Sequence, residues 1–167
     1  MHGSSRIFKS TLRDLRWILP ASLVLGIGLS ILDGNGFGWV GAFAYTILLV
    51  LSIFFLTVAW RWLGAGRSLG LLLILAFSLR LLVGIALAFL LPATGYDSPV
   101  YQAGYSYEDA YRRDLQAWEL ASSGQPVSAI FNKEYAAVDQ YGGLLALSSL
   151  VYRFLSPDAH RPWLVII

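Results

Sequence analysis

The segment LGLLLILAFSLRLLVGIALAFLL, residues 69–91, decides the fold, and Arg80 is its only charged residue. A helix rises about 1.5 Å per residue, so these residues would measure roughly 35 Å as a helix. The hydrocarbon core of a bilayer is about 30 Å thick. The segment therefore predicts a membrane-spanning helix over 69–91. Pro92 is expected to end this helix.

Further apolar segments lie on both sides of this helix. Residues 17–32 and 39–60 precede it and predict two more spans, although the first is barely long enough. Pro20 is expected in the first turn of the first span, where a missing N–H costs little. Residues 139–155 predict a short fourth membrane helix, and 163–167 begin another apolar segment.

The composition agrees with a membrane protein. Hydrophobic residues make up 57% of the chain and charged residues 13%, with a mean hydropathy of +0.63. A soluble domain has about 25% charged residues. The net charge is +2 and no basic block is present, which argues against nucleic acid as a partner. The chain has no cysteine, which excludes disulfides and cysteine-ligated metals.

The basic residues predict the orientation in the membrane. They collect before the first span, between the second and third, and after the fourth: Arg6, Lys9, Arg13 and Arg16; Arg61 and Arg67; Arg153, His160 and Arg161. By the positive-inside rule these segments are cytoplasmic, including the N-terminal residues 1–16. The acidic segment 92–138 then lies outside the cytoplasm. We expect a multi-pass protein of the plasma membrane (the inner membrane of a bacterium).

The segment 92–138 is long and rich in aromatic residues, which is typical of a folded and functional loop. Within it, 107–123 predicts an amphipathic helix capped by Ser106 and stopped by Gly124 and Pro126. This helix is expected to lie along the membrane surface. The predicted fold class is all-α, a polytopic transmembrane helix bundle with an amphipathic interfacial helix in the large extracytoplasmic loop.

Candidate functional residues gather at the start of the loop helix. Glu108 and Asp109 are placed to take a proton from a hydroxyl substrate, or they stabilise the helix N-terminus through its macrodipole. Arg112 and Arg113 are candidates for phosphate binding, and the alternatives are lipid headgroup contact or pairing with Glu108. Arg80 is deep in the membrane by sequence position, so it either faces a phosphate group in a cavity or pairs with an acid or backbone carbonyls of a neighbouring helix.

Other polar residues carry less weight. Asp97 lies in a turn composition, and Asp114 is a secondary candidate acid. Asp139 is expected to cap the fourth helix. His2 and His160 lack the spacing of metal ligands, so the sequence predicts no metal site.

Several motifs resemble the GT-C superfamily of membrane glycosyltransferases, notably protein O-mannosyltransferases and bacterial aminoarabinose transferases. AFSLRLL at 76–82 resembles their first core helix, and EDAY at 108–111 resembles the acidic motif of their first outer loop. YGGLLAL at 141–147 and VYRFL at 151–155 resemble their second core helix. The resemblance covers about residues 70–167, so 68–167 would begin the core and 17–67 would be a two-span extension.

The resemblance implies that a sugar passes from a polyprenyl-phosphate donor to an extracytoplasmic acceptor hydroxyl on a glycan, lipid or protein. It implies Asp109 as the catalytic base, with Glu108 as the runner-up because the family order of the two acids is reversed here. A divalent metal requirement is left open. Since the last residues begin an apolar run, we expect an N-terminal part of a longer protein. One alternative is a non-enzymatic membrane protein, a transporter fragment or scaffold that uses Arg80 as a structural or substrate-binding charge. Another is a membrane subunit that packs on partners through Gly26 and Gly28.

Overall fold

The computed structural model describes residues 2–64, 66–94, 97–131 and 142–166. Within these ranges the chain is helical and contains no strand. Three helices are long and apolar enough to cross a membrane, over Ser10–Leu32, Trp39–Trp62 and Arg67–Thr94. The predicted all-α class with membrane-spanning helices is confirmed, and the chain is a membrane protein.

The three long helices are α1 (His2–Leu32), α2 (Trp39–Trp62) and α3 (Arg67–Thr94). Each is longer than the predicted apolar span because helical hydrogen bonding continues into the polar flanks. Both proline predictions are wrong. Pro20 lies in the interior of α1, because the helix already begins near the N-terminus. Pro92 lies inside the last turn of α3, where the helix loses one backbone hydrogen bond but continues to Thr94.

The chain divides into two compact units, Met1–Arg80 and Leu81–Ile167. In the first unit α1 packs against α2, and a polar cluster ties the two together. The Arg61 guanidinium donates to the hydroxyls of Ser10 at 2.8 Å and Thr11 at 3.2 Å, and its other nitrogen lies 2.5 Å from an Asp14 carboxylate oxygen. One of the basic residues that predict the cytoplasmic side is therefore neutralised by a neighbouring acid.

Gly26 permits the closest approach of α1 and α2. A Cβ at this position would lie 2.3 Å from the Thr46 hydroxyl and 2.8 Å from the Thr46 backbone nitrogen. At Gly28, two residues along the same helix, a Cβ would meet nothing within 4 Å. Gly26 therefore packs against α2 of the same chain.

Gly26→Ala is expected to destabilise the first unit by about 1–3 kcal/mol, since the added methyl overpacks a backbone contact. Gly28→Ala is the matched control, and it should leave stability unchanged or raise it by up to about 1 kcal/mol through helix propensity. Thermal unfolding of both variants in detergent, followed by circular dichroism, measures the difference. Equal melting temperatures for the two variants would contradict the contact.

The second unit contains the end of α3 and the shorter helices. These are α4 (Pro99–Gln102), α5 (Glu108–Ser122), a 3-10 helix (Val127–Phe131), α6 (Gly143–Leu155) and α7 (Trp163–Ile166). α5 packs on α6 around a small core: Ala117, Leu120, Ala129, Ile130, Leu145 and Tyr152. This core holds the loop helix in place.

The bounds of α5 and α6 refine two predictions. α5 begins one residue later than expected, and Tyr107 rather than Ser106 occupies its N-cap, without a side-chain hydrogen bond. Gly124 follows its end with a φ of +72°, a left-handed conformation that glycine adopts at no steric cost. α6 begins at Gly143. The predicted start of the fourth membrane helix and its cap, Asp139, lie outside the described residues.

Candidate functional site

The first turn of α5 presents two acids to solvent. Glu108 and Asp109 are the first two residues of the helix, and both side chains are exposed. Their negative charge lies beside the unpaired N–H groups of the helix start, which the macrodipole makes favourable. In the sequence, α5 follows the end of the third apolar helix, α3, after a short connection. The two acids therefore lie in the segment that comes directly after α3.

Glu108 is held in an ion pair. Its carboxylate lies 2.5 Å from the Arg112 guanidinium, one helical turn away, and both side chains are largely exposed. A solvent-exposed pair of this kind contributes about 0.3–0.5 kcal/mol. Of the three interpretations of Arg112, the structure shows the pairing with Glu108.

Asp109 differs from its neighbour. Among the described residues, no hydrogen bond or ion pair involves its carboxylate. An exposed carboxylate at a helix start can accept a hydrogen bond from a hydroxyl group that approaches from water. The first turn therefore contains one engaged acid and one available acid.

The two other predicted phosphate-binding arginines lie in different units of the chain. Arg113 is half-buried in α5, and its charge acts on the Tyr105 hydroxyl, whose pKa it lowers against larger opposing effects. Arg80 lies near the middle of α3 with an exposed side chain, in the first unit rather than in the unit that holds α5. The second unit alone therefore brings together four of the five predicted site residues.

A buried acid, Asp114, forms a second polar site one and a half turns into α5. Its side chain is only 3% exposed. One carboxylate oxygen accepts a hydrogen bond from the Tyr152 hydroxyl of α6, and the other lies 2.7 Å from Nε2 of His160. A buried carboxylate is costly unless it is hydrogen-bonded, and here both oxygens have partners.

Aromatic rings enclose this site. The Trp118 indole stacks on His160 with ring centroids 5.4 Å apart, and the Tyr152 ring meets both of them edge-on, at 5.6 Å and 5.2 Å. Aromatic pairs in such geometries contribute about 0.5–1.5 kcal/mol beyond the area that they bury. The site therefore fastens α5 to α6 and to the turn that follows α6.

Tyr105 completes the surroundings of Asp114. Its hydroxyl is buried and makes no hydrogen bond of ordinary geometry within the described chain. Burial raises its pKa well above the usual 10.0, and the nearby Asp114 charge raises the pKa further. The folded protein therefore favours the protonated hydroxyl.

This shift predicts a loss of stability at high pH. Unfolded Tyr105 titrates near 10.0, so the unfolded state releases a proton that the folded state retains. The contribution of Tyr105 to stability is constant below about pH 10 and then falls by up to about 1.4 kcal/mol per pH unit. Tyr105→Phe should remove this part of the alkaline loss and change little at pH 8.

The exposed Tyr107 supplies the control, since Tyr107→Phe should keep the full alkaline loss. Chemical unfolding of the three proteins at pH 8 and pH 11 measures the effect. A wild type and a Tyr105→Phe variant that lose stability in parallel would disprove the assignment.

The sequence pattern undervalues Asp114 and misses its partners. The sequence gives no reason to select Tyr152, and His160 lacks the spacing of metal ligands. A signal does exist within α5: Asp114 comes three residues after Tyr111 and four before Trp118, so an acid shares the aromatic face of the helix. Within the described ranges, no three His, Asp or Glu residues cluster as metal ligands do.

Comparison of the chain with known protein families, with curated proteins and with solved structures finds no match in any of the three.

Proposed function

We propose that this membrane protein is a glycosyltransferase of the GT-C type, which moves a sugar from a polyprenyl-phosphate donor to an acceptor hydroxyl outside the cytoplasm. The observation that carries the proposal is the state of the two acids at the start of α5. Asp109 offers an exposed carboxylate without a partner among the described residues, while Glu108 is paired with Arg112. The resemblance of EDAY at 108–111 to the acidic motif of that superfamily supports the same assignment.

The proposed chemistry places one group-transfer step at Asp109. The acceptor hydroxyl oxygen bonds to the anomeric carbon of the sugar, and its proton passes to the Asp109 carboxylate. The bond between that carbon and the lipid phosphate oxygen breaks, and the phosphate leaves with the electron pair. A base in hydrogen-bond reach of the hydroxyl contributes about 10²–10⁴-fold to such a reaction.

The arginines of α5 would serve the leaving group. Arg112 and Arg113 follow Asp109 within one turn, and guanidinium groups bind phosphate oxygens through charge-assisted hydrogen bonds. Arg112 would exchange Glu108 for phosphate, which is inexpensive because the pair is exposed. Arg80 is a second candidate for the donor phosphate, from within the membrane.

The proposed orientation places the N-terminus in the cytoplasm and α5 outside it. Arg13 and Arg16 before the first apolar segment, and Arg61 and Arg67 between α2 and α3, support this sidedness by the positive-inside rule. Polyprenyl-linked donors and their acceptors would then meet Asp109 from the extracytoplasmic aqueous phase. A plasma membrane location is part of the proposal.

Transfer of a radiolabelled sugar from polyprenyl-phosphate and polyprenyl-pyrophosphate donors, by the full-length protein in vesicles, tests the function. Donor-dependent product that disappears in Asp109→Asn supports the enzyme. Absence of transfer with every donor would favour the non-enzymatic alternative. Addition of a chelator to the same assay tests a divalent metal requirement.

A further inference from the structure

α6 is too short to cross a bilayer by itself. Its 13 residues measure about 20 Å, against a hydrocarbon core of about 30 Å. The positions of its two ends therefore decide whether it belongs to a membrane span or lies at the membrane surface.

The beginning of α6 lies beside the loop helices. Gly142 packs so closely on the 3-10 helix that a Cβ there would lie 3.3 Å from Ile130 and 3.6 Å from Phe131. Leu145, in the first turns of α6, is fully buried in the core that α6 shares with α5. This end is therefore on the same side of the membrane as α5.

The chain after α6 returns to the same end of α3. The Trp163 ring meets the Phe89 ring of α3 edge-on, with centroids 5.4 Å apart. Phe89 lies five residues, or about 7.5 Å, before the end of α3 at Thr94. Gly104, just before α5, also contacts α3 there, since a Cβ on Gly104 would lie 3.1 Å from the Ala88 Cα.

The connection between α6 and Trp163 is folded and cannot reach across the membrane. The Ser156 hydroxyl donates to the Ala159 carbonyl at 2.6 Å, and Arg161 donates back to Ser156 at 2.7 Å. Arg161 also pairs with Asp158, whose pKa it lowers. The end of α6 is further fixed by Arg153, which donates to the Leu120 and Gln125 carbonyls at the end of α5.

The outer face of α6 is apolar although it is exposed. Four large side chains form a stripe along it without a charge: Leu144, Leu147, Leu150 and Phe154, of which Leu147 is 60% and Phe154 72% exposed. The opposite face packs on α5. A helix that is buried on one face and apolar on the other fits the hydrocarbon edge of a bilayer. Trp163, which follows α6, contacts the end of the spanning helix α3.

We infer that α6 lies flat at the membrane surface on the α5 side, with this stripe in the acyl chains, and does not cross. α7 then begins on that same side. Arg153, His160 and Arg161 belong to the α5 side and not to the cytoplasmic side that the positive-inside rule gave them. The rule holds for short loops, and the 68 residues between Thr94 and Trp163 exceed its range of about 60.

Single cysteines test the sidedness directly, because the chain contains none of its own. Pro157→Cys lies just after α6, Ser106→Cys just before α5, and Ser68→Cys at the opposite end of α3; all three positions are exposed. Each variant is treated with a membrane-impermeant maleimide in sealed vesicles and again after detergent, which controls for reactivity. We expect the cysteines at 157 and 106 to show the same labelling in sealed vesicles, and the cysteine at 68 to show the opposite result. Labelling of 157 together with 68 would overturn the inference.

Spin labels at Leu144 and Phe154 test the depth. If α6 lies at the surface, both labels lie at similar depth and collide with oxygen dissolved in the bilayer. As a control, a label at Glu119 on the exposed face of α5 should collide with the water-soluble relaxation agent. A crossing helix would separate 144 and 154 in depth by about 15 Å. Such a gradient would contradict the surface orientation of α6, and water contact at both positions would disprove membrane contact by the stripe.

Discussion

Asp109→Asn is expected to lower the turnover of sugar transfer by about 10²–10⁴-fold. Asparagine has the size and shape of aspartate but cannot take the proton of the acceptor hydroxyl. The side chain is exposed, so the substitution leaves the packing of α5 on α6 intact. Initial rates with a polyprenyl-phosphate donor at saturating acceptor measure the loss.

Glu108→Gln is the matched control for this loss. It removes the same charge from the neighbouring residue, but there it breaks only the surface pair with Arg112. A change in rate of less than about 10-fold is expected, since an exposed pair contributes well under 1 kcal/mol. If Glu108→Gln abolished transfer while Asp109→Asn retained it, the roles of the two acids would be reversed.

Asp114→Ala is expected to destabilise the second unit by about 3 kcal/mol or more. The change removes the Asp114 carboxylate that accepts from the Tyr152 hydroxyl, on a fully buried residue, and it also removes the carboxylate that His160 contacts. Each hydrogen bond to a charged group contributes about 1.5–3 kcal/mol. Hydrogen exchange of the α5 and α6 amides in the reconstituted protein measures the local opening.

Glu119→Ala serves as the comparison, because it removes an exposed acid from the same helix and should change stability by less than about 0.5 kcal/mol. Tyr152→Phe should reproduce part of the Asp114→Ala loss and leave Asp109 in place. Equal protection of α5 in the Asp114→Ala and Glu119→Ala variants would show that the buried site does not fasten the two helices.

The sequence predicts the membrane helices because their signal is local. A run of apolar residues long enough to span needs no knowledge of its neighbours, and α2 and α3 extend only a few residues beyond the predicted segments. The wrong predictions concern features that depend on the surrounding structure. The sequence predicts Pro20 in the first turn of its helix and Pro92 at the end of its helix. Both lie further inside their helices, because a long apolar helix tolerates one lost backbone bond.

In the candidate site too, contacts within one helix could be predicted, and contacts between distant parts of the chain could not. The exposed acids of α5 and the pairing of Glu108 with Arg112 follow from spacing along one helix. The site around Asp114 joins residues 38 and 46 positions apart in the chain. No periodicity within α5 identifies which residue of α6, or of the turn after it, will meet the buried carboxylate. The return of Trp163 to Phe89 is equally non-local.

The side of the membrane that the start of α5 faces is the most direct test of the account. Tyr107 is 77% exposed and immediately precedes the two acids, so Tyr107→Cys in an otherwise cysteine-free chain reports their location. In intact cells, an impermeant maleimide should label this cysteine fully before lysis, and a cysteine at Ser68 only after it. Labelling of position 107 only after lysis would place Asp109 in the cytoplasm and contradict the proposed glycosyl transfer.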